Sequence, residues 1–188
     1  MKTPKPCQIL AVIGEGFLPE GIKLFEGIEQ FRESEINKNN FRINHIAGVI
    51  IDKYGNLAVC EMLENGCTIT KWEDSRYFRN EVKFLVLDFI IPLTEEQKAD
   101  MMVMARGDEG KPYYYLGIGW QIIFSICGWW FGNTNTLKSM FCSEQWAYYL
   151  NKLKSWFKRF WLTSPQMFFE DDIITIDGAN FTFENMTK

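Results

Sequence analysis

The stretch KSMFCSEQWAYYLNKL places Cys142 where a polar loop gives way to a helical pattern, with Ser143 and Glu144 directly behind it. A thiol in the first turn of a helix lies against unpaired backbone N–H groups and the positive end of the helix dipole, and both favour the thiolate. A thiolate is a nucleophile, and this chemistry needs a base. The chain contains a single histidine, His45, so the candidate pair is forced. Each residue also has a purely structural reading. Cys142 heads an apolar stripe with Trp146, Tyr149, Leu150, Leu153, Trp156, Phe157 and Phe160, where cysteine serves as a small hydrophobe. A lone strand histidine can simply be a hydrogen-bonded structural group.

A base of this kind is oriented by a third group, and the local elements offer two. INHIAGVIID and NLAVCEML are β-branched and apolar runs separated by KYG, the pattern of a hairpin whose glycine supplies a positive φ. Counting by twos puts His45, Ala47, Val49 and Ile51 on one face of the first strand, and Leu57, Val59, Glu61 and Leu63 on one face of its partner. A three-residue loop of Lys53, Tyr54 and Gly55 sets Asp52 opposite Asn56 and Glu61 opposite Ala47, diagonal to His45. A two-residue loop brings Glu64 opposite His45 instead and turns Glu61 away. Glu61 is the favoured reading, because an acid inside an apolar strand wants a partner, whereas Glu64 lies in the exposed turn ENG.

The remaining pattern gives strands first and helices later. CQILAVIG reads as a short buried strand, and LPEGIKLFEGIEQFRESE as a surface helix with Ile22, Phe25, Ile28 and Phe31 on one face. CTITKW and VKFLVLDFII are two further strands, TEEQ has the form of a capping box, and DDIITIDGANFTF offers two more short strands around DG. Segregated strands and helices predict an α+β fold in one domain spanning residues 1–188.

Composition narrows the function. A net charge of −4 with a pI near 5.2 argues against a nucleic-acid partner. The five cysteines are scattered, with no C-x-x-C pair and no second histidine, so neither a metal site nor a cofactor is expected. Their odd number and the short apolar run at the N-terminus suit a cytoplasmic protein. Residues Pro112 to Leu137 carry no charge. Three glycines, a glutamine and a serine in the part from Tyr113 to Phe131 weaken it as a spanning helix, so a buried helix or pocket wall is expected there, with peripheral membrane or lipid contact through its tryptophans as the second reading.

The order of these motifs resembles the circularly permuted, papain-like cysteine hydrolases of the NlpC superfamily, especially the YiiX-like branch. There, a histidine opens a strand followed by small and β-branched residues, as in NHIAGVI; an acid follows in the next strand, as in AVCEML; a turn and a glycine come next, as in ENGCTI. Much later a Cys-Ser-Glu begins a long helix, as in FCSEQWAYYL. The resemblance covers most of the chain and extends to a closing segment, TSPQMFFED. It implies an antiparallel sheet packed against a helix carrying the nucleophile Cys142, with His45 as base and Glu61 as orienting acid. It also implies an oxyanion role for a tyrosine ahead of the cysteine, and Tyr113 in PYYYLG is the best match. The chain departs from the branch at Tyr114, where an aspartate is frequent, and at Asn44, where serine is common.

The expected activity is hydrolysis of an amide, peptide or acyl ester through a thioacyl intermediate, the apolar 112–137 stretch favouring an apolar or acylated substrate. The alternatives are a binding protein for a lipid or acylated peptide that uses the same cleft without turnover, and a membrane-associated interaction module in which Cys142 is core.

Overall fold

The computed structural model describes residues 3–13, 43–89, 92–114, 140, 142–153 and 174–176. The helix expected between Leu18 and Glu35, the uncharged stretch beyond Tyr114, the helical stripe beyond Leu153, and the second tail strand lie outside them. Among the described residues the architecture is α+β, with an antiparallel sheet and two α-helices.

Six strands, β1 (Ile9–Ile13), β2 (Ile43–Ile51), β3 (Leu57–Leu63), β4 (Gly66–Lys71), β5 (Lys83–Phe89) and β6 (Ile174–Ile176), form one sheet in the order β4-β3-β2-β1-β5-β6. Every pair is antiparallel. Strand β1 lies between β2 and β5, and its uninterrupted apolar sequence follows from burial on both faces.

One face carries Ile9, Ala11, Ile46, Ile50, Ala58, Cys60 and Leu87 beneath two helices, α1 (Glu95–Gly107) and α2 (Cys142–Leu153). The other carries Leu10, Val12, Ala47, Val49 and Val59, covered by Trp72 and Tyr77. Thr94 caps α1 as the TEEQ motif predicts: its hydroxyl accepts from the Gln97 backbone N–H at 3.2 Å, and its own N–H donates to Gln97 Oε1 at 2.9 Å.

The hairpin register is that of the three-residue loop. Ala47 pairs with Glu61 and Ile51 with Leu57, while the Asp52 N–H donates to the Asn56 carbonyl. The loop is fixed chemically: Asp52 Oδ1 accepts the N–H groups of Tyr54 and Asn56, both at 2.8 Å, and Gly55 takes φ +85°. At the far end of β2, Val12 pairs with His45 and Ile13 with Ile43, so Asn44 is an extra residue in a bulge immediately before the histidine.

Helix α2 approaches β2 closely because position 48 has no side chain. A Cβ on Gly48 would lie 2.1, 2.3 and 2.6 Å from three atoms of the Trp146 ring. Gly48→Ala therefore forces the helix away from the strand, at a cost of about 1–3 kcal/mol for an overpacked core. Thermal unfolding should show that loss, and Trp146→Leu in the same chain should recover part of it. A Gly48→Ala protein as stable as the wild type would mean that the helix does not rest on this contact.

Candidate active site

The close approach of α2 to β2 brings the first residue of the helix to the bulged end of the strand. The backbone N–H groups of Ile46, from the strand, and of Ser143, from the helix's own first turn, both donate to the Cys142 sulfur. The thiol also hydrogen-bonds the His45 side chain. On the other side of the ring, His45 Nε2 donates to Glu61 Oε2 at 3.0 Å. This leaves Nδ1 as the ring nitrogen available to the thiol. The structure thus brings Cys142, His45 and Glu61 into one row, and the hairpin register, not Glu64, supplies the acid.

All three groups are buried, with Cys142 4%, His45 3% and Glu61 4% exposed, so their ionisation depends on one another. Burial alone would hold the Cys142 thiol neutral, but the His45 ring and the two backbone donors outweigh it and lower the thiol's pKa from its ordinary value. Burial likewise opposes a charged His45. Cys142 first and Glu61 second overcome it, and the imidazole is pushed up to about 9. Burial of Glu61 is outweighed by His45, Arg76 and Tyr77, which hold its carboxyl below the usual range. The directions agree on a thiolate beside an imidazolium and an ionised carboxylate.

Two residues of the site were not legible as functional in the sequence. Arg76 Nη2 donates to Glu61 Oε2 at 2.5 Å and the Tyr77 hydroxyl donates to the same oxygen at 2.7 Å. They reach it because the segment after β4 doubles back. A 3-10 turn at Trp72–Asp74 is closed by the Ser75 hydroxyl on the Trp72 carbonyl at 2.6 Å, and the Glu81 N–H returns to the Arg76 carbonyl at 2.9 Å. An Arg-Tyr pair in an irregular acidic segment has no periodicity to betray it. The available signal was the demand of Glu61 for a cationic partner.

Tyr113 reaches the site through its backbone. It forms a parallel bridge with Met140, two residues ahead of Cys142, and the Tyr114 N–H donates to the Met140 carbonyl at 2.9 Å. The preceding turn is tied to β4, the Cys67 N–H donating to the Lys111 carbonyl at 2.7 Å and the Gly110 N–H to the Cys67 carbonyl at 2.8 Å. The Tyr113 side chain is partly buried against the core that contains Cys142.

The interior of α2 carries a second buried polar chain. Gln145 Nε2 donates to Cys67 Sγ at 3.1 Å and to the Tyr149 hydroxyl at 2.9 Å, and Tyr149 donates to Asp108 Oδ2 at 2.7 Å. Cys60 and Cys67 lie with sulfurs 3.7 Å apart. The sequence suggests inert core thiols here. The hydrogen bond to Cys67, and burial after it, push Cys60 up, whereas that same bond, helped by Gln145, lowers Cys67.

Comparison with known proteins gives the fold and little more. No protein-family model matches the chain, and no curated protein matches it. Among solved structures, it is similar to metalloprotein yiiX from Escherichia coli O157:H7, a DUF1105 protein, with a TM-score of 0.51 and 15% identity over 95% of this chain and 99% of that one. The α+β fold is therefore of the yiiX kind. Among the described residues no helix is long and apolar enough to cross a membrane.

The paired shifts define a pH dependence. Cys142 should alkylate rapidly with iodoacetamide at a lower pH than an ordinary thiol needs, because the imidazolium beside it favours the thiolate, and the sulfur stays ionised when the imidazole loses its proton near pH 9. His45→Ala removes the counter-cation and leaves burial to act, so rapid labelling should begin only in the alkaline range. Mass spectrometry resolved by residue measures this, and a His45→Ala profile identical to the wild type would show that the pair does not interact.

Proposed function

We propose that the chain is a cysteine hydrolase of the circularly permuted, papain-like kind, acting on an amide, peptide or acyl ester. The observation that carries the reading is the Cys142–His45–Glu61 row, with a thiol at a helix start hydrogen-bonded to an imidazole whose other nitrogen is held by a carboxylate. In this mechanism the Cys142 thiolate attacks the carbonyl carbon. The His45 imidazolium then gives its proton to the leaving amine or alkoxide as the bond to carbon breaks, which leaves a thioacyl enzyme and a neutral imidazole. That imidazole accepts a proton from water, the hydroxide adds to the thioester carbonyl, and the thiolate departs beside a restored imidazolium. Glu61 fixes the ring and stabilises its cation. The Cys142 backbone stands at the helix start, and we assign the Tyr113 hydroxyl to the developing oxyanion.

A metal-dependent reaction is a separate possibility raised by the yiiX relative, which is described as a metalloprotein. The donors here do not fit a metal. His45 Nε2 is engaged by Glu61, the Glu61 oxygen that meets it is 2.5 Å from the cationic Arg76, and among the described residues no group of three or more His, Cys, Asp or Glu side chains could hold an ion.

The uncharged sequence from Pro112 to Leu137 supports an apolar or acylated substrate, met in the cytoplasm or at a membrane surface. The near-complete burial of Cys142 and His45 favours, as a second reading, a protein that binds such a molecule without turning it over. Incubation with p-nitrophenyl acyl esters of increasing chain length separates the two. The hydrolase reading predicts an acyl adduct on Cys142 in the intact-mass spectrum, release of p-nitrophenol, and at least about a hundredfold loss of that release in Cys142→Ala. Saturable binding of the acyl chain with no adduct and no dependence on Cys142 would establish the binding protein.

A further inference from the structure

Glu61 faces His45 with one oxygen, and that oxygen is shared by three donors: His45 Nε2 at 3.0 Å, Arg76 Nη2 at 2.5 Å and the Tyr77 hydroxyl at 2.7 Å. The two added donors are also bound to each other. Arg76 Nη2 donates to the Tyr77 oxygen at 3.1 Å, and its guanidinium stands 5.1 Å from the centre of the Tyr77 ring. The ring is wedged in turn by Phe84, edge-on at 5.2 Å. Arg76, Tyr77 and Glu61 are all buried, so this closed triangle is held by packing as well as by charge.

We infer that Arg76 and Tyr77 are positioning residues of the active site, which hold the Glu61 carboxylate ionised and with one oxygen turned to His45, and thereby keep the imidazole charged beside Cys142. The inference rests on the hydrolase reading. Its physical basis is the risk that a buried histidine–carboxylate pair runs: the carboxylate can take a proton and become neutral, after which it no longer stabilises an imidazolium. A cation and a hydroxyl on the shared oxygen stabilise the carboxylate directly. Arg suits the task because its guanidinium does not give up its proton.

Among the described residues, the other groups near this cluster are Cys60, Thr68 and Cys142. Cys60, on the same strand, is pushed away from ionisation partly by Glu61 itself. Thr68 on β4 donates to the Glu61 main-chain carbonyl at 3.4 Å, not to the carboxylate. Cys142 acts from α2 through His45. Burial works against the ionised carboxylate, and His45, Arg76 and Tyr77 work for it, so removal of Arg76 raises the Glu61 pKa. Protonated Glu61 then releases the imidazolium, and the thiolate recovers a proton at a pH where the wild type still holds the ion pair.

The test is the acidic limb of Cys142 alkylation against pH in the full-length protein, for Arg76→Met, Arg76→Lys and Tyr77→Phe, each alone and with Glu61→Gln. Arg76→Met should move the limb to higher pH by about one unit or more. Tyr77→Phe should move it less and in the same direction, and Arg76→Lys should stay near the wild type. In the Glu61→Gln background none of the three should move it further. If Arg76→Met does not fold, Tyr77→Phe against Arg76→Lys decides. Limbs that coincide with the wild type in folded Arg76→Met and Tyr77→Phe overturn the inference, as does a shift of equal size that persists with Glu61→Gln. The hydrolase reading fails separately, if Glu61→Gln and His45→Ala themselves leave the profile unchanged.

Discussion

The indole of Trp146 occupies the space that a side chain at position 48 would need, and the placement of Cys142 depends on that contact. A helix kept at ordinary distance from a strand could not offer its first residue to a strand histidine and also receive an N–H from the strand. Here the Ile46 N–H reaches the sulfur, and His45, one residue away, hydrogen-bonds it. The bulge at Asn44 kinks the same strand end. Glycine, bulge and indole are thus three parts of one steric arrangement, and each lies on an element formed for local reasons: β2 by its β-branched run and tight hairpin, α2 by its apolar stripe.

Electrostatics then follow from burial. Cys142, His45, Glu61 and Arg76 are all buried, so a single charge among them would be costly. In sequence through space they alternate: thiolate, imidazolium, carboxylate, guanidinium. Each burial penalty is offset by a neighbour of opposite sign, and the set is neutral overall. An arrangement of this kind is fragile to removal of one member, because the remaining charge stays buried without its partner. It also suits the proposed chemistry, in which its first member would be the nucleophile and its second the proton donor.

How much of this the sequence discloses depends on whether the signal is local. The Thr94 capping box, the periodicities of strands β1 to β5 and the helix start at Cys142 involve residues within a few positions of one another, and these are found. The register of the β2–β3 hairpin was decided by an energetic argument about one acid, Glu61, and the Asp52 side chain shows why it holds: it satisfies the Tyr54 and Asn56 N–H groups of a three-residue loop. Arg76 and Tyr77 escaped because their partner lies 15 and 16 residues away across two strands, and the segment that carries them folds through its own turn hydrogen bonds. The Gln145–Tyr149–Asp108 chain escaped for the same reason, its members being divided between the body of α2 and the C-terminal end of α1. Gly48 was visible as part of a motif, but the reason for it is the ring of Trp146.

The central claim is that the only histidine of the chain is an imidazolium held between a thiolate and a carboxylate. Because there is one histidine, nitrogen-15 labelling of histidine in the untagged protein yields the ring signals of His45 alone. The account predicts ring shifts of the doubly protonated form throughout the neutral range, with a midpoint near 9 in the wild type and a large fall in Cys142→Ala. A ring that titrates at or below about 6.5, the ordinary value, in the folded wild type would contradict it.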